Sequence, residues 1–211
     1  MKKWIFDVGS GASLPNKQAV IDTVDALEPV LDHKKLHQDL EIIIKTQLFM
    51  DIPPNKPLDH EVFKHLKQYG EFKGFQVTSS VFDKESLSFL LDHDPCLVKV
   101  ACRPNLYWLV GEIPRRIPVL VSYDRRDRNN LNIVPRKTDY ALSCVPAYPA
   151  DIQDYFIDPG ICISDHTVGL ELFKRASPAI WEKHFVLKKD DPANPDSMGG
   201  FALDPEDLKQ I

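Results

Sequence analysis

The chain has 211 residues, 43% of them hydrophobic and 27% charged, which is enough apolar material for one buried core. Its net charge of -5, without a basic block, excludes a non-specific nucleic-acid or membrane surface and leaves room only for a local anion site. No apolar run approaches the roughly 20 residues that cross a bilayer, and MKKWIFDVGSG turns acidic too early for a secretory leader, so a cytoplasmic location is expected.

In chain order, short apolar or alternating runs predict strands at 4–8, 41–47, 74–79, 97–101, 118–122, 140–145, 160–164 and 179–185. Helical spacing predicts helices at 15–27 after Ser13, 60–69 after Asp59, 84–91 after Asp83 and 168–176, with a last helix from Pro205 capped by Asp204. Strands that are apolar throughout and alternate with helices imply parallel strands covered on both faces. Eight such units predict an α/β fold, a compact (β/α)8 TIM barrel over residues 1–211 as a single domain. Some helices must then be short or missing, because 123–138 is charged and poorly periodic and 151–159 leaves space for barely two turns. Prolines such as Pro53-Pro54 punctuate loops, and the polar stretch KDDPANPDSMGG before Phe201 is a candidate lid.

In such a barrel the functional face lies at the C-terminal ends of the strands. Several predicted strands end alike, in a cation or hydroxyl after apolar residues: Lys45 and Gln47, Ser79 and Ser80, Lys99, Ser122, then Tyr148, then Ser164-Asp165-His166, then Glu182-Lys183-His184. A lone lysine there snorkels to the rim and a lone serine forms a turn. Their recurrence on many strands points instead to a polar pocket suited to phosphate. His166 and His184 carry no metal motif, yet two imidazoles with oxygen donors suit Mn, Fe, Co or Zn. Asp165 and Glu182 offer carboxylates to orient them. His33, His37, His60, His65 and His93 fall in polar or helical stretches and are expected at the surface. Cys96, Cys102, Cys144 and Cys162 lack CxxC spacing and are read as reduced packing residues.

Ser164-Asp165-His166-Thr167-Val168-Gly169, Glu182-Lys183-His184-Phe185, Pro195-Asp196 and the run from Phe201 to Leu208 resemble, in order, the closing half of the sialic acid (N-acetylneuraminate) synthase barrel. Cys144 to Pro149 is similar to that family's Cys…Tyr-Pro segment, Ser79 to Ser86 to its Ser-Thr-Pro-Phe segment, Lys99 to Cys102 to its Lys-Ile-Ala-Ser, Lys45-Thr46-Gln47 to its Lys-Phe-Gln, and Asp7-Val8-Gly9 to its Glu-Ile-Gly. The resemblance implies a (β/α)8 enzyme that condenses phosphoenolpyruvate with an N-acetylated amino sugar, uses Mn or Mg, and releases phosphate. By position, His166 and His184 take the metal. Lys45, Ser80, Lys99, Ser122 and Ser164 surround phosphoenolpyruvate, while Gln47, Tyr148 and Asp196 face the sugar and Glu182 sits beside the reacting centre. A homodimer is likewise implied, and the family's C-terminal antifreeze-like domain has no counterpart before Ile211.

The chain departs from the family pattern at Pro146, at Gly11-Ala12, where the family has Asn-His, and at Ser122-Tyr123-Asp124-Arg125, where it has Ser-Thr-Gly-Met. These departures keep open a non-catalytic barrel that retains a phosphate, metal or sugar site. A lyase using Lys99 or Lys183 as a Schiff base is a further alternative.

Overall fold

The computed structural model describes residues 2–48, 51, 55–126, 139–158 and 160–211. Eight parallel strands close into a barrel in sequence order. They are β1 Lys2–Asp7, β2 Leu40–Gln47, β3 Gln76–Val81, β4 Val98–Val100, β5 Val119–Asp124, β6 Tyr140–Cys144, β7 Cys162–Asp165 and β8 Ile180–His184. Each overlaps an apolar run in the sequence, and together with the intervening helices they form the expected (β/α)8 barrel.

The strands are apolar throughout because both of their faces are buried. Ile5, Ile43, Leu97, Leu120, Leu142 and Ile180 pack against one another as a layer inside the barrel. Their neighbours of opposite parity, among them Phe6, Ile42, Ile44, Val121 and Trp181, join the larger core between the sheet and the helices. Truncating a member of the inner layer, as in Leu120→Ala, costs about 2–5 kcal/mol, since a closed barrel collapses poorly around a void. At the N-terminal end of the strands Lys3 pairs with Glu41, and its Nζ lies 5.8 Å from the centre of the Tyr140 ring.

Among the described residues the helices are α1 Lys17–Leu27, α2 Leu31–Leu36, α3 His60–Lys73, α4 Lys84–Leu91, α5 Leu109–Glu112, α6 Glu171–Ala176 and α7 Pro205–Leu208. Asp59 caps α3, while Asp83 and Asp204 form capping boxes with Ser86 and Asp207. α1 is capped by Asn16 rather than Ser13; the Ser13 hydroxyl instead donates to Asn194 Oδ1 at 2.9 Å. α6 starts at Glu171, so Val168 stays outside it and is exposed. Between β6 and β7 the described residues hold one 3-10 turn, Ile152–Asp154. Pro53, Pro54 and most of the irregular stretch, 127–138, lie outside the described residues.

Three histidines expected at the surface are partly covered. His33, on α2, packs 5.2 Å from the Trp4 ring, His65 stacks along Tyr69, and His93 Nδ1 is 2.7 Å from the Phe89 carbonyl. His37 and His60 are exposed. Among the described residues no helix is long and apolar enough to cross a membrane.

Candidate active site

Beyond the apolar layer the inward positions turn polar, and strand register brings them together. Asp7 is the partner of Lys45 on one side and of His184 on the other. Ser80 is matched with Gln47 and Lys99, and Ser164 with Cys144 and Glu182. Side chains in register on parallel neighbours share a face, so the sheet itself gathers these groups.

They line a cavity of about 80 Å³ at the mouth of the barrel. Lys45, Gln47, Ser80, Lys99, Ser122, Tyr148, Ser164, His166, Glu182 and His184, all singled out in the sequence, border it. Asp196 borders a wider vestibule of about 510 Å³, which shares Gln47, Arg103, Tyr148 and His184 with the inner chamber. Asp196 arrives on the stretch read as a lid. That stretch lies at the mouth and is tied down, because the Ser197 hydroxyl donates to the Asp191 and Asn194 carbonyls and Asn194 is held by Ser13.

The floor of the chamber is an alternating ionic chain. Lys45 Nζ lies 2.5 Å from Asp7 Oδ2 and 3.0 Å from both Glu182 Oε1 and Ser80 Oγ, and Lys99 Nζ lies 3.1 Å from Glu182 Oε2. Gln47 Nε2 donates to Asp7 Oδ2 at 3.1 Å. Burial opposes charge at each group, but the partners outweigh it. Asp7 and Glu182 hold Lys45 above the usual lysine range, while Lys45 and Lys99 bring Glu182 down to about 2. Asp7 is likewise held below the usual carboxylate range, by Lys45 and His184. Asp7, Lys45 and Glu182 are therefore ionised near neutral pH, and with Lys99 the formal charges of the chain cancel.

His166 and His184 face each other with ring centroids 5.6 Å apart, and the exposed Tyr148 covers them, 4.2 Å from the first ring and 5.9 Å from the second. His166 Nδ1 donates to the Val145 carbonyl at 2.8 Å, which fixes the tautomer and leaves Nε2 as a lone-pair donor, 3.4 Å from Ser164 Oγ. Burial, with the charge of His184, pushes His166 down to about 3, so it is neutral. His184 moves the other way: burial lowers its pKa, yet Asp7 and Asp196 more than offset this and raise it. Tyr155 holds the His166 segment by donating to the Ser164 carbonyl at 2.8 Å and accepting the His166 N–H at 3.2 Å.

With metal–nitrogen bonds of about 2.1 Å, two rings whose centroids lie 5.6 Å apart can share one ion. A neutral His166 and the orphaned, buried Nδ1 of His184 fit that use. The pair stands alone as a protein donor set, since no group of three or more His, Cys, Asp or Glu is arranged to hold a metal among the described residues. Ser122 Oγ and Asp196 Oδ2 are also buried without a hydrogen-bond partner among the described residues, and Glu182 Oε2 meets only the Lys99 ammonium. Such orphans are rare in folded proteins, and their clustering here marks a place built to meet a ligand.

Two sequence readings are corrected. Asp165 does not orient an imidazole: its Oδ1 accepts from the Thr167 N–H and hydroxyl, both at 2.8 Å, and its Oδ2 from Trp181 Nε1 at 3.0 Å. Lys183 is fully buried outside the barrel, paired with Asp165 at 3.1 Å and bonded to the Thr167 carbonyl, so it is no Schiff-base candidate. The partners of His184 are instead Asp7, at 3.7 Å, and Asp196, at 3.6 Å. Cys102 and Cys144 border the cavity rather than only filling the core, and Cys144 Sγ is 3.9 Å from His166 Nδ1. Asp7 and Arg103 were not singled out as site residues, although Asp7 ends the first apolar run as Lys45 ends the second.

Gly11 has a steric reason. A Cβ there would lie 2.1 Å from the Pro57 carbonyl oxygen, so the loop after β1 admits no side chain at the position where the resembled family carries a polar residue.

Fold and site together define a parallel (β/α)8 barrel whose strand ends carry a buried ionic chain beside an imidazole pair. The profile of the NeuB family matches residues 31–211, and the chain belongs to that family. No curated protein sequence is similar enough to match. Among solved structures, the chain superposes on the spore coat polysaccharide biosynthesis protein SpsE of Bacillus subtilis with a TM-score of 0.73 at 19% identity, covering 99% of this chain and 65% of that one. It is also similar to a putative spore coat polysaccharide biosynthesis protein E from Chromobacterium violaceum, with TM-score 0.74, 20% identity, and 100% and 72% of the two chains covered. An N-acetylneuraminic acid synthetase from Leptospira borgpetersenii serovar Hardjo-bovis, in complex with citrate, gives 0.67 and 19%, with 98% and 80% covered. At these identities the likeness is one of fold, and the chain spans 65% of the length of the Bacillus protein.

Proposed function

We propose that the protein is a sugar-acid synthase that condenses phosphoenolpyruvate with an N-acetylated amino sugar to give a sialic-acid-like nonulosonic acid, with a divalent cation held by His166 and His184. The observation that carries this reading is the juxtaposition of two buried lysines, a carboxylate held ionised between them and an imidazole pair in which His166 keeps a free lone pair on Nε2. Membership of the NeuB family and the likeness to the Leptospira N-acetylneuraminic acid synthetase support it.

In this reading Lys45 and Lys99, with Ser80, Ser122 and Ser164, hold the anionic groups of phosphoenolpyruvate as point charges and donors. Gln47, Tyr148 and Asp196 position the sugar in the vestibule, with its carbonyl turned toward the imidazoles. Bound there, a divalent cation supplies Lewis acidity toward that carbonyl oxygen. The enol carbon forms the new C–C bond, its electron pair displaces the carbonyl π pair onto oxygen, and positive charge develops at the adjacent carbon of the donor. Glu182, with a pKa of about 2, is too weak a base to take a proton efficiently, so its work is electrostatic: it faces that developing charge in a water-poor site. Water adds at this carbon and its proton passes to the alkoxide left from the sugar carbonyl; the bond between that carbon and the phosphate oxygen then breaks as the new hydroxyl becomes the keto group, and phosphate leaves with the electron pair and the hydroxyl proton toward Lys45 and Lys99.

The test is phosphate release from phosphoenolpyruvate with MnCl2 and a panel of N-acetylated hexosamines. Release is expected with at least one sugar, abolished by EDTA and by His184→Ala. Release that persists in EDTA and in that variant contradicts the reading. A second reading, binding without turnover, is favoured by the chamber's cancelled charge: its two lysines are already paired. In that case phosphoenolpyruvate raises the melting temperature but is not consumed.

A further inference from the structure

Arg103 follows β4 at the junction of the two chambers and lines both. The other cations of the inner chamber are spoken for, Lys45 by Asp7 and Glu182, Lys99 by Glu182. Arg103 is different: its side chain is half-buried, and no carboxylate pairs with its guanidinium among the described residues. The guanidinium lies 5.6 Å from the centre of the Phe82 ring, itself a wall of the inner chamber. The backbone is held as well, with the Arg103 N–H donating to the Ala101 carbonyl at 2.7 Å and Pro104 opening a 3-10 turn. A planar fork held over an aromatic ring, half-buried and with no carboxylate partner among the described residues, is a preorganised receptor for a phosphate or carboxylate.

We infer that Arg103 is the anion-docking residue of this site, receiving a phosphomonoester group where the inner chamber opens into the vestibule. A ligand with two or three negative charges entering a chamber whose Asp7, Lys45, Glu182 and Lys99 already cancel gains little from them until they rearrange, whereas Arg103 offers its full charge at once. The phosphomonoester has two possible sources, the donor phosphoenolpyruvate or a phosphorylated acceptor sugar. The inference deepens the synthase reading and rests on it for this choice of ligands.

Binding by isothermal titration separates the sources. The probes are phosphoenolpyruvate, N-acetylmannosamine 6-phosphate, neutral N-acetylmannosamine and inorganic phosphate. They are measured on the wild type, Arg103→Ala, Arg103→Lys and, as a charge control, the exposed Arg115→Ala. Arg103→Ala should fold, since no hydrogen bond of its side chain to the described residues is lost, and should bind at least one phosphomonoester about tenfold or more weakly. Arg103→Lys should recover only part of this, and Arg115→Ala should match the wild type. Loss confined to phosphoenolpyruvate assigns the docking to the donor, and loss confined to the phosphosugar assigns it to the acceptor. Unchanged affinity for both in Arg103→Ala, or no phosphomonoester binding by the wild type, overturns the inference. Phosphate release with unaltered KM values in Arg103→Ala sinks the inference but not the synthase reading. Arg103-dependent binding without turnover does the reverse.

Discussion

Glu182→Gln is the sharpest probe of the ionic chain. The amide keeps the shape of the side chain but removes the charge shared by Lys45, at 3.0 Å, and Lys99, at 3.1 Å. Lys45 keeps Asp7 and Ser80, whereas Lys99 loses its carboxylate and remains 3% exposed, so the chamber acquires an uncompensated buried charge. Breaking a buried pair from one side costs about 3–5 kcal/mol. For a chain of this size each kcal/mol shifts the melting temperature by about 2–4 °C, so a fall of about 10 °C is expected. Calorimetry at fixed ionic strength, in chloride and then in phosphate, reads it. Phosphate should return part of the loss by taking the place of the missing carboxylate, and should stabilise the variant more than the wild type. A variant that melts within a degree or two of the wild type, or a loss that phosphate leaves untouched, refutes the claim that these charges are coupled and open to an anion.

Acid should unfold the protein in two windows. His166, at about 3 in the fold against about 6.5 when unfolded, contributes stability that is present above pH 6.5 and lost as pH falls toward 3. Glu182, at about 2 against about 4.3, adds a loss below pH 4.3, so a pH series of melting temperatures should steepen there and His166→Asn should remove the upper window. Asp165→Asn, which strands the fully buried Lys183 outside the barrel, should cost about 3–5 kcal/mol by urea unfolding while leaving phosphoenolpyruvate affinity in the surviving folded protein unchanged. Gly9 adopts φ +78°, and a Cβ there would lie 2.5 Å from Asp196 Oδ2, so Gly9→Ala should weaken sugar binding before donor binding, as titrations with each would show. Borohydride with a carbonyl substrate should leave Lys183 unlabelled in a peptide map, because its ammonium is sealed against Asp165 and Thr167.

Parity explains what the sequence could and could not tell. Ending apolar runs in Lys45, Lys99, Ser164, Glu182 and His184 was readable because parallel strands bury both faces, so a charge at a run's end has to meet others at the mouth. Asp165 and Lys183 were misread as site groups because they stand next to inward residues. Period two places them outward with Trp181, and counting from Ile180 finds Glu182 and His184 inside and Lys183 outside. The same count from Ile5 reaches Asp7, and from Leu142 reaches Cys144. Arg103 had no such signal, since it lies past the end of β4, where a turn rather than a strand period aims the side chain. The partial cover of His33, His65 and His93 came from helix packing that no local pattern records.

The most direct test of the central claim is phosphorus NMR of the protein with phosphoenolpyruvate, Mg and an N-acetylated amino sugar, with mass spectrometry of the products. The account expects the phosphoenolpyruvate resonance to be replaced by inorganic phosphate only when the sugar is present, with one new sugar acid formed for each phosphate released. Phosphoenolpyruvate that persists with every sugar tried, or that is hydrolysed equally well without one, would contradict it.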